Sequence, residues 1–198
     1  MGFGEMLNIW LCLGAFLCFF LYDWNQTTKK INIFDHFFGL GCILWAIVTV
    51  RLLWSGCLTV GYRGFIQIFF GILSVISLIF MIYSLFFALP LKETYVEKQS
   101  ELMPVCEDGF YALCRHPGFL WYFIFYFFGS FTFPCHEFFF GSVLLCLCNF
   151  LYIWTEDTVF FPQMFSNYAS YRERVPFLIP NKNSILTCCQ TLKGRKKV

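Results

Sequence analysis

Charge is what this sequence has least of. Asp, Glu, Lys and Arg make up 13% of its 198 residues, about half the share a soluble domain uses to cover its surface. With 59% hydrophobic residues and a mean hydropathy of +0.66, a soluble globular protein is excluded and an integral-membrane protein is expected. Histidine is also scarce, at three scattered residues, and none of the 11 Cys forms a Cys-x-x-Cys pair, so no metal site is expected. Most thiols lie inside apolar runs (Cys12, Cys18, Cys42, Cys146 and Cys148) and read as small hydrophobes. The adjacent, juxtamembrane Cys188 and Cys189 are instead placed for palmitoylation. There is no long basic block: net charge is +2, and Lys193, Arg195, Lys196 and Lys197 are too few for nucleic acid. An anionic membrane surface is their expected partner.

What the chain does have is a series of long apolar runs, and the expected fold is all-α with five transmembrane helices. The first run, 6–22, has Glu5 but no Lys or Arg before it and no small-residue cleavage site after it, so it reads as a retained helix and not as a signal peptide. A polar loop over 23–32 follows. The second run, 33–50, has Asp35 and His36 in its first turn, and Arg51, Trp54, Tyr62 and Arg63 then mark an interfacial connection. The third run, 65–89, is the longest and stops at Pro90. A charged segment over 92–115 separates it from a fourth run, 118–133. Pro134 to Glu137 turn the chain into a fifth, 138–155, antiparallel to the fourth. With five spans and a cytoplasmic C-terminus, twelve Lys and Arg fall inside and two, Arg51 and Arg63, outside. The positive-inside rule therefore favours N-terminus out and C-terminus in. The sequence divides into three N-terminal helices (1–91), a candidate catalytic region (92–180) and a basic tail (181–198).

This topology puts two polar places on the same side. One is DGFYALCRHPGF at 108–119, where Arg115 and His116 precede Pro117. Pro suits the first turn of a helix, whose unsatisfied N–H groups attract carboxylates and phosphates, and an adjacent Arg can add a bidentate clamp. The plain alternative is an interfacial anchor. The other place is Glu156-Asp157, just after the fifth run. Carboxylates at a helix C-terminus oppose its dipole, so they are either solvated or turned toward a cation, with Tyr152, Trp154 and Tyr111 able to offer ring faces.

The tail after Glu156 decides between these readings. Gly109-x-Tyr111-x-x-x-Arg115-His116-Pro117, an acidic pair after the next helix, and Tyr168-x-x-Tyr171 followed by Arg174-Val175-Pro176 together resemble the isoprenylcysteine carboxyl methyltransferases. That family groups with the phospholipid N-methyltransferases among small integral-membrane enzymes. The resemblance covers about 80 residues, from near Met103 to Pro180. It implies a cytoplasmic-facing pocket for S-adenosylmethionine formed by the last two helices and the C-terminal segment, and a lipophilic acceptor that enters from the bilayer. By motif position Met103, Pro104, Val105, Cys106, Tyr111, His116, Pro117, Gly118, Phe119 and Glu156 would line the cofactor. Arg115 is assigned to the cofactor's carboxylate on charge, with Glu156 and Asp157 facing positive charge. Tyr152, Arg172 and Arg174 are candidate substrate contacts. The chain departs from the family at Phe119, where Tyr is usual, at Trp121, where Gly is usual, at Asp157, where Glu is usual, and at Tyr152, near which a substrate-side Arg is usual.

A sulfonium donor requires alignment of donor and acceptor at about 3 to 3.5 Å more than it requires acid or base. A carboxylate acceptor is ionised near neutral pH, whereas an amine must first lose a proton. The absence of a plain His and carboxylate pair favours a carboxylate or thiolate acceptor, such as that of a prenylated cysteine. Two other readings stay open: membrane sterol reductases, which use NADPH, resemble the stretch from Arg115 to Pro176, and a non-catalytic membrane scaffold needs no cofactor. The terminal Arg195-Lys196-Lys197-Val198 resembles a dilysine retrieval signal for the endoplasmic reticulum. In a bacterium the same residues would hold the tail at the inner membrane.

Overall fold

The computed structural model describes residues 3–28, 31–59, 64–86 and 104–194. Met103, Lys29, Lys30, Tyr62, Arg63, Pro90, the charged residues of 92–101 and the basic 195–198 end lie outside the described residues. Among those described, the chain is helical throughout: α1 (Phe3–Thr27), a 3-10 turn (Asn32–His36), α2 (Phe37–Thr59), α3 (Phe65–Phe86), α4 (Phe110–Leu113), α5 (Pro117–Thr132), α6 (His136–Thr155), a π turn (Glu156–Phe160), α7 (Phe161–Met164), α8 (Tyr168–Arg174) and α9 (Lys182–Gly194). Four helical stretches are long and apolar enough to cross a membrane: Gly4–Thr27, Asn32–Thr59, Phe65–Leu85 and His136–Met164. The remaining expected span is α5, at 16 residues about 24 Å long and short of a hydrocarbon core of roughly 30 Å.

Two compact units divide the chain, one from residues 1–76 and 123–160, the other from 77–122 and 161–198. In the first, α1, α2 and α6 pack together around Cys12, Ala15, Val48, Leu52, Phe138 and Leu145, all nearly inaccessible. Their outer faces carry large exposed apolar residues such as Trp10, Ile43 and Leu147, as expected of surfaces whose solvent is lipid. Polar side chains inside the unit are bonded across helices: the Thr49 and Tyr126 hydroxyls lie 2.6 Å apart, and Ser74 Oγ donates to Phe125 O at 2.9 Å. Without water, satisfied hydrogen bonds and close packing of small residues are what hold helices together.

The close packing is clearest at Gly41. A Cβ there would stand 2.6 Å from the Phe19 ring and 3.0 Å from the Ala15 carbonyl oxygen, so α1 and α2 approach backbone to side chain only because that carbon is missing. Gly41→Leu is expected to destabilise the first unit by about 2–3 kcal/mol, as overpacking does. Melting of the detergent-purified protein checks this, and an unchanged midpoint would contradict the packing described.

Two helix ends lie well beyond their expected positions. The loop expected from residue 23 is helical to Thr27, because Asp23 is not a solvated loop residue: Tyr152 Oη donates to its Oδ2 at 2.6 Å. Thr27 Oγ1 and Thr28 Oγ1 then donate to the Asp23 and Trp24 carbonyls, and Asn25 closes the turn by bonding both Ile31 N and Ile31 O. Likewise α2 does not end at Val50. Arg51 Nε donates to Asn8 Oδ1 at 2.7 Å and Ser55 Oγ donates to Glu137, so the residues expected in a connection stay helical to Thr59.

Candidate functional site

In the second unit the motif residues are bonded mainly to one another. Gly109 has φ 64°, a left-handed conformation open to glycine without steric cost, and its N–H donates to Thr191 Oγ1 of α9 at 2.9 Å. The turn sets up α4, on which Tyr111 Oη donates to Ser84 O at 3.2 Å while Tyr111 O accepts from Tyr171 Oη at 2.7 Å. Tyr168, Tyr171 and Val175 form a small core with Val105, Phe161 and Phe165 packed against it. The Tyr-x-x-Tyr spacing is thus a helical i, i+3 pair that buries both rings on one side of α8.

Arg115 ties this segment down from both its backbone and its side chain. Its N–H donates to Pro176 O at 2.9 Å, and Nη1 donates to Arg172 O at 2.9 Å and to Val175 O at 2.8 Å. The guanidinium also lies over the Phe177 ring, 5.5 Å from its centroid. Cationic donors to carbonyls are stronger than neutral ones, so Arg115 clamps the chain after α8. His116 beside it is buried, stacked on Phe161 at 5.7 Å and met edge-on by Phe177 at 5.2 Å. Pro117, also fully buried, opens α5, Gly118 abuts Leu85, and Phe119 stacks on Tyr122 at 6.4 Å.

The 104–107 segment is held by residues that the sequence reading passed over. Asn167 Oδ1 accepts from Val105 N at 2.7 Å, and Asn167 Nδ2 donates to Glu107 Oε1 at 2.9 Å. Arg174, a candidate substrate contact, donates to the same Glu107 oxygen at 2.8 Å. Arg172 contributes its carbonyl to the Arg115 clamp, with its side chain exposed. Pro104 is exposed and Cys106 half-buried. Asn167 immediately precedes α8, where Asn is a favoured residue, and that position was its one legible signal. Trp121 fits the helix packing by tilted ring contacts with Phe80 at 4.8 Å and Phe110 at 5.9 Å.

Burial also marks Cys114. Its thiol is inaccessible and burial pushes its pKa up to about 12; Tyr171 is raised in the same direction by the same cause. A thiol raised in the folded protein favours folding fully below its unfolded value near 9, and this contribution is lost as pH rises toward 12. At pH 10.5 the loss from Cys114 is about 2 kcal/mol. Melting the protein at pH 7 and 10.5 is expected to show an alkaline drop that Cys114→Ala reduces; an equal drop in both would contradict this assignment.

In the first unit, Glu156 and Asp157 do not lie past a helix end as expected. The chain runs on through the Glu156–Phe160 π turn into α7, and single π turns inside helices are frequent at functional sites. Asp157 is 2% exposed and Asp23 5%. The Tyr152 hydroxyl, given to Asp23, is also within hydrogen-bonding reach of Glu156. Tyr152 therefore stands between two carboxyl groups, Asp23 of α1 and Glu156 of the π turn. Asp23 is a candidate site residue that the sequence did not reveal, since locally it only ends an apolar run. Together these groups form an acidic, largely water-excluded place suited to positive charge. Among the described residues no group of three or more His, Cys, Asp and Glu is arranged to hold a metal ion.

Comparison of the chain with protein-family models, with curated proteins and with solved structures finds no match in any of the three.

Proposed function

We propose that this chain is a five-span membrane methyltransferase that transfers the methyl group of S-adenosylmethionine to a lipophilic acceptor, of which the carboxylate of a prenylated cysteine is the type. The observation that carries the reading is the mutual bonding of the motif residues. Tyr111, Arg115, Tyr171 and Arg174 are far apart in sequence and hold one segment together through side chains. A motif with that job gives a rigid frame to the residues beside it, and those are the proposed cofactor contacts: Pro104, Val105, Cys106, His116, Pro117, Gly118 and Phe119.

The chemistry of these donors suits the cofactor. When bound, S-adenosylmethionine supplies an electrophilic methyl on a sulfonium, together with a carboxylate, an ammonium and ribose hydroxyls. The Gly118 and Phe119 N–H groups belong to the first turn of a 16-residue helix, where anions are favoured. Aromatic faces at Tyr111 and Phe119 suit a cation or an adenine ring. In the first unit, Glu156 and Asp157 suit positive charge, and the Tyr152 hydroxyl, which donates to Asp23, lies within hydrogen-bonding reach of Glu156. The work of these residues is to orient and to exclude water, because displacement at a sulfonium methyl needs alignment.

In the same reading the N-terminus is outside and the C-terminus cytoplasmic, in the endoplasmic reticulum of a eukaryote or the inner membrane of a bacterium. The test is to incubate the full chain in lipid vesicles with methyl-labelled S-adenosylmethionine and a farnesylated cysteine analogue. Label in the organic extract that depends on the chain supports the reading. No label in any extract from membranes that express the chain would sink it.

A further inference from the structure

A second group of charges in the first unit is not used by the proposed reaction. On α2, Val50, Arg51, Trp54, Ser55 and Leu58 line, with Glu137 of α6, a groove of about 290 Å³. Its walls face outward into what the span makes a lipid environment: Val50, Trp54 and Leu58 are 62, 67 and 71% exposed. Its floor is charged. Glu137 accepts from Ser55 Oγ and from Asn8 Nδ2 at 3.3 Å, and Arg51 is oriented by its Nε bond to Asn8. The Arg51 Nη nitrogens make no hydrogen bond among the described residues, and no ion pair joins Arg51 to Glu137 there.

We infer that this groove binds the headgroup of a zwitterionic phospholipid, with the phosphodiester on Arg51, the ammonium on Glu137, and the glycerol and first acyl carbons along Val50, Trp54 and Leu58. Two opposite charges at a lipid-facing surface are costly unless each meets a partner. A lone anion would satisfy Arg51 and be repelled by Glu137; a zwitterion satisfies both. Arg51 and Ser55, which carries the Glu137 bond, are four residues apart on one helix, about 6 Å along the axis. The two-carbon link between phosphate and ammonium in a phosphoethanolamine or phosphocholine headgroup spans a comparable distance. Trp54 belongs where indole rings collect, at the membrane–water boundary. The volume lies at the low end of the ~300–1,000 Å³ of small-ligand sites, which suits a headgroup and not a whole lipid.

The experiment uses the full chain in detergent, stripped of lipid, and reads the shift in melting temperature on adding phosphatidylethanolamine, phosphatidylcholine, phosphatidylglycerol, diacylglycerol, free phosphoethanolamine or inorganic phosphate. The two zwitterionic lipids are expected to raise the midpoint by several degrees, phosphatidylglycerol by less, and the other three not at all. Arg51→Gln is expected to weaken the response to the zwitterionic lipids at least tenfold in concentration. Glu137→Gln is expected to make phosphatidylglycerol as effective as phosphatidylethanolamine. Leu58→Trp fills the groove without touching the polar groups and is expected to abolish the shift while leaving the lipid-free midpoint unchanged, so it decides the matter even if loss of Arg51 impairs folding. A full shift in Leu58→Trp, an equal shift with diacylglycerol, or reproduction of the shift by inorganic phosphate would overturn the inference.

Discussion

Arg115→Ala is expected to loosen the segment around 171–176 and to raise amide exchange there by about 10²- to 10³-fold. The guanidinium holds the Arg172 and Val175 carbonyls and covers Phe177, while the backbone N–H holds Pro176 and survives the substitution. Hydrogen bonds from a charged donor contribute about 1.5–3 kcal/mol each. Here one nitrogen serves two acceptors, one in a more exposed contact, so the pair together contributes about 3–4 kcal/mol. At ~1.4 kcal/mol per decade that is the stated range for the Val175 amide, which donates to Tyr171 O within the clamped turn. Arg115→Lys is expected to recover little, because an ammonium is a point donor on a flexible stem and cannot keep the planar contact with Phe177. Exchange measured on the full chain decides this: protection of residues 171–176 that is the same in wild type and Arg115→Ala would mean that the clamp does not hold the segment. The same substitution is expected to abolish the proposed methyl transfer, since the frame beside His116 and Pro117 would be lost.

The second large effect is at Glu156. Its neutral isostere, Glu156→Gln, is expected to weaken binding of S-adenosylhomocysteine and S-adenosylmethionine by about 10- to 100-fold, the loss of one charge-assisted contact. The fold should be kept, since volume and hydrogen-bonding capacity are retained. A merely structural Glu156 makes a different pattern. If its role were only to bond Tyr152, Tyr152→Phe would cause the same loss of affinity; the present account expects Tyr152→Phe to change affinity less than about fivefold, because the carboxyl groups of Glu156 and Asp157 both stay in place. Calorimetric titration of both variants with S-adenosylhomocysteine separates the two patterns.

The helices were legible where the chain carries its own punctuation. Long apolar runs bounded by Gly, Pro or polar residues put the start of α3 and both ends of α5 and α6 within two residues of their observed bounds. The ends of α1 and α2 were not legible, because Asp23 and Arg51 look like residues that leave a helix. Their partners, Tyr152 and Asn8, lie 129 and 43 residues away in sequence, and only tertiary contact makes a charged residue acceptable inside a span. The π turn at Glu156 was hidden for a similar reason: nothing local distinguishes it from a helix end. In the motif, residue types and spacing singled out a segment but not the bonds that its residues make with one another. Tyr171 and Arg174 bond Tyr111 and Glu107, and Glu107 itself carried no signal beyond being one acid among many in a polar stretch.

The central claim is tested most directly by thermal stabilisation of the detergent-purified full chain with S-adenosylhomocysteine, S-adenosylmethionine and NADPH in parallel. At a hundred times its dissociation constant a ligand that binds only the folded protein adds about 2.7 kcal/mol of stability, a shift of several degrees. The account predicts that shift with both adenosyl ligands, its marked reduction in Glu156→Gln, and none with NADPH. Stabilisation by NADPH alone, or by none of the three, would contradict it.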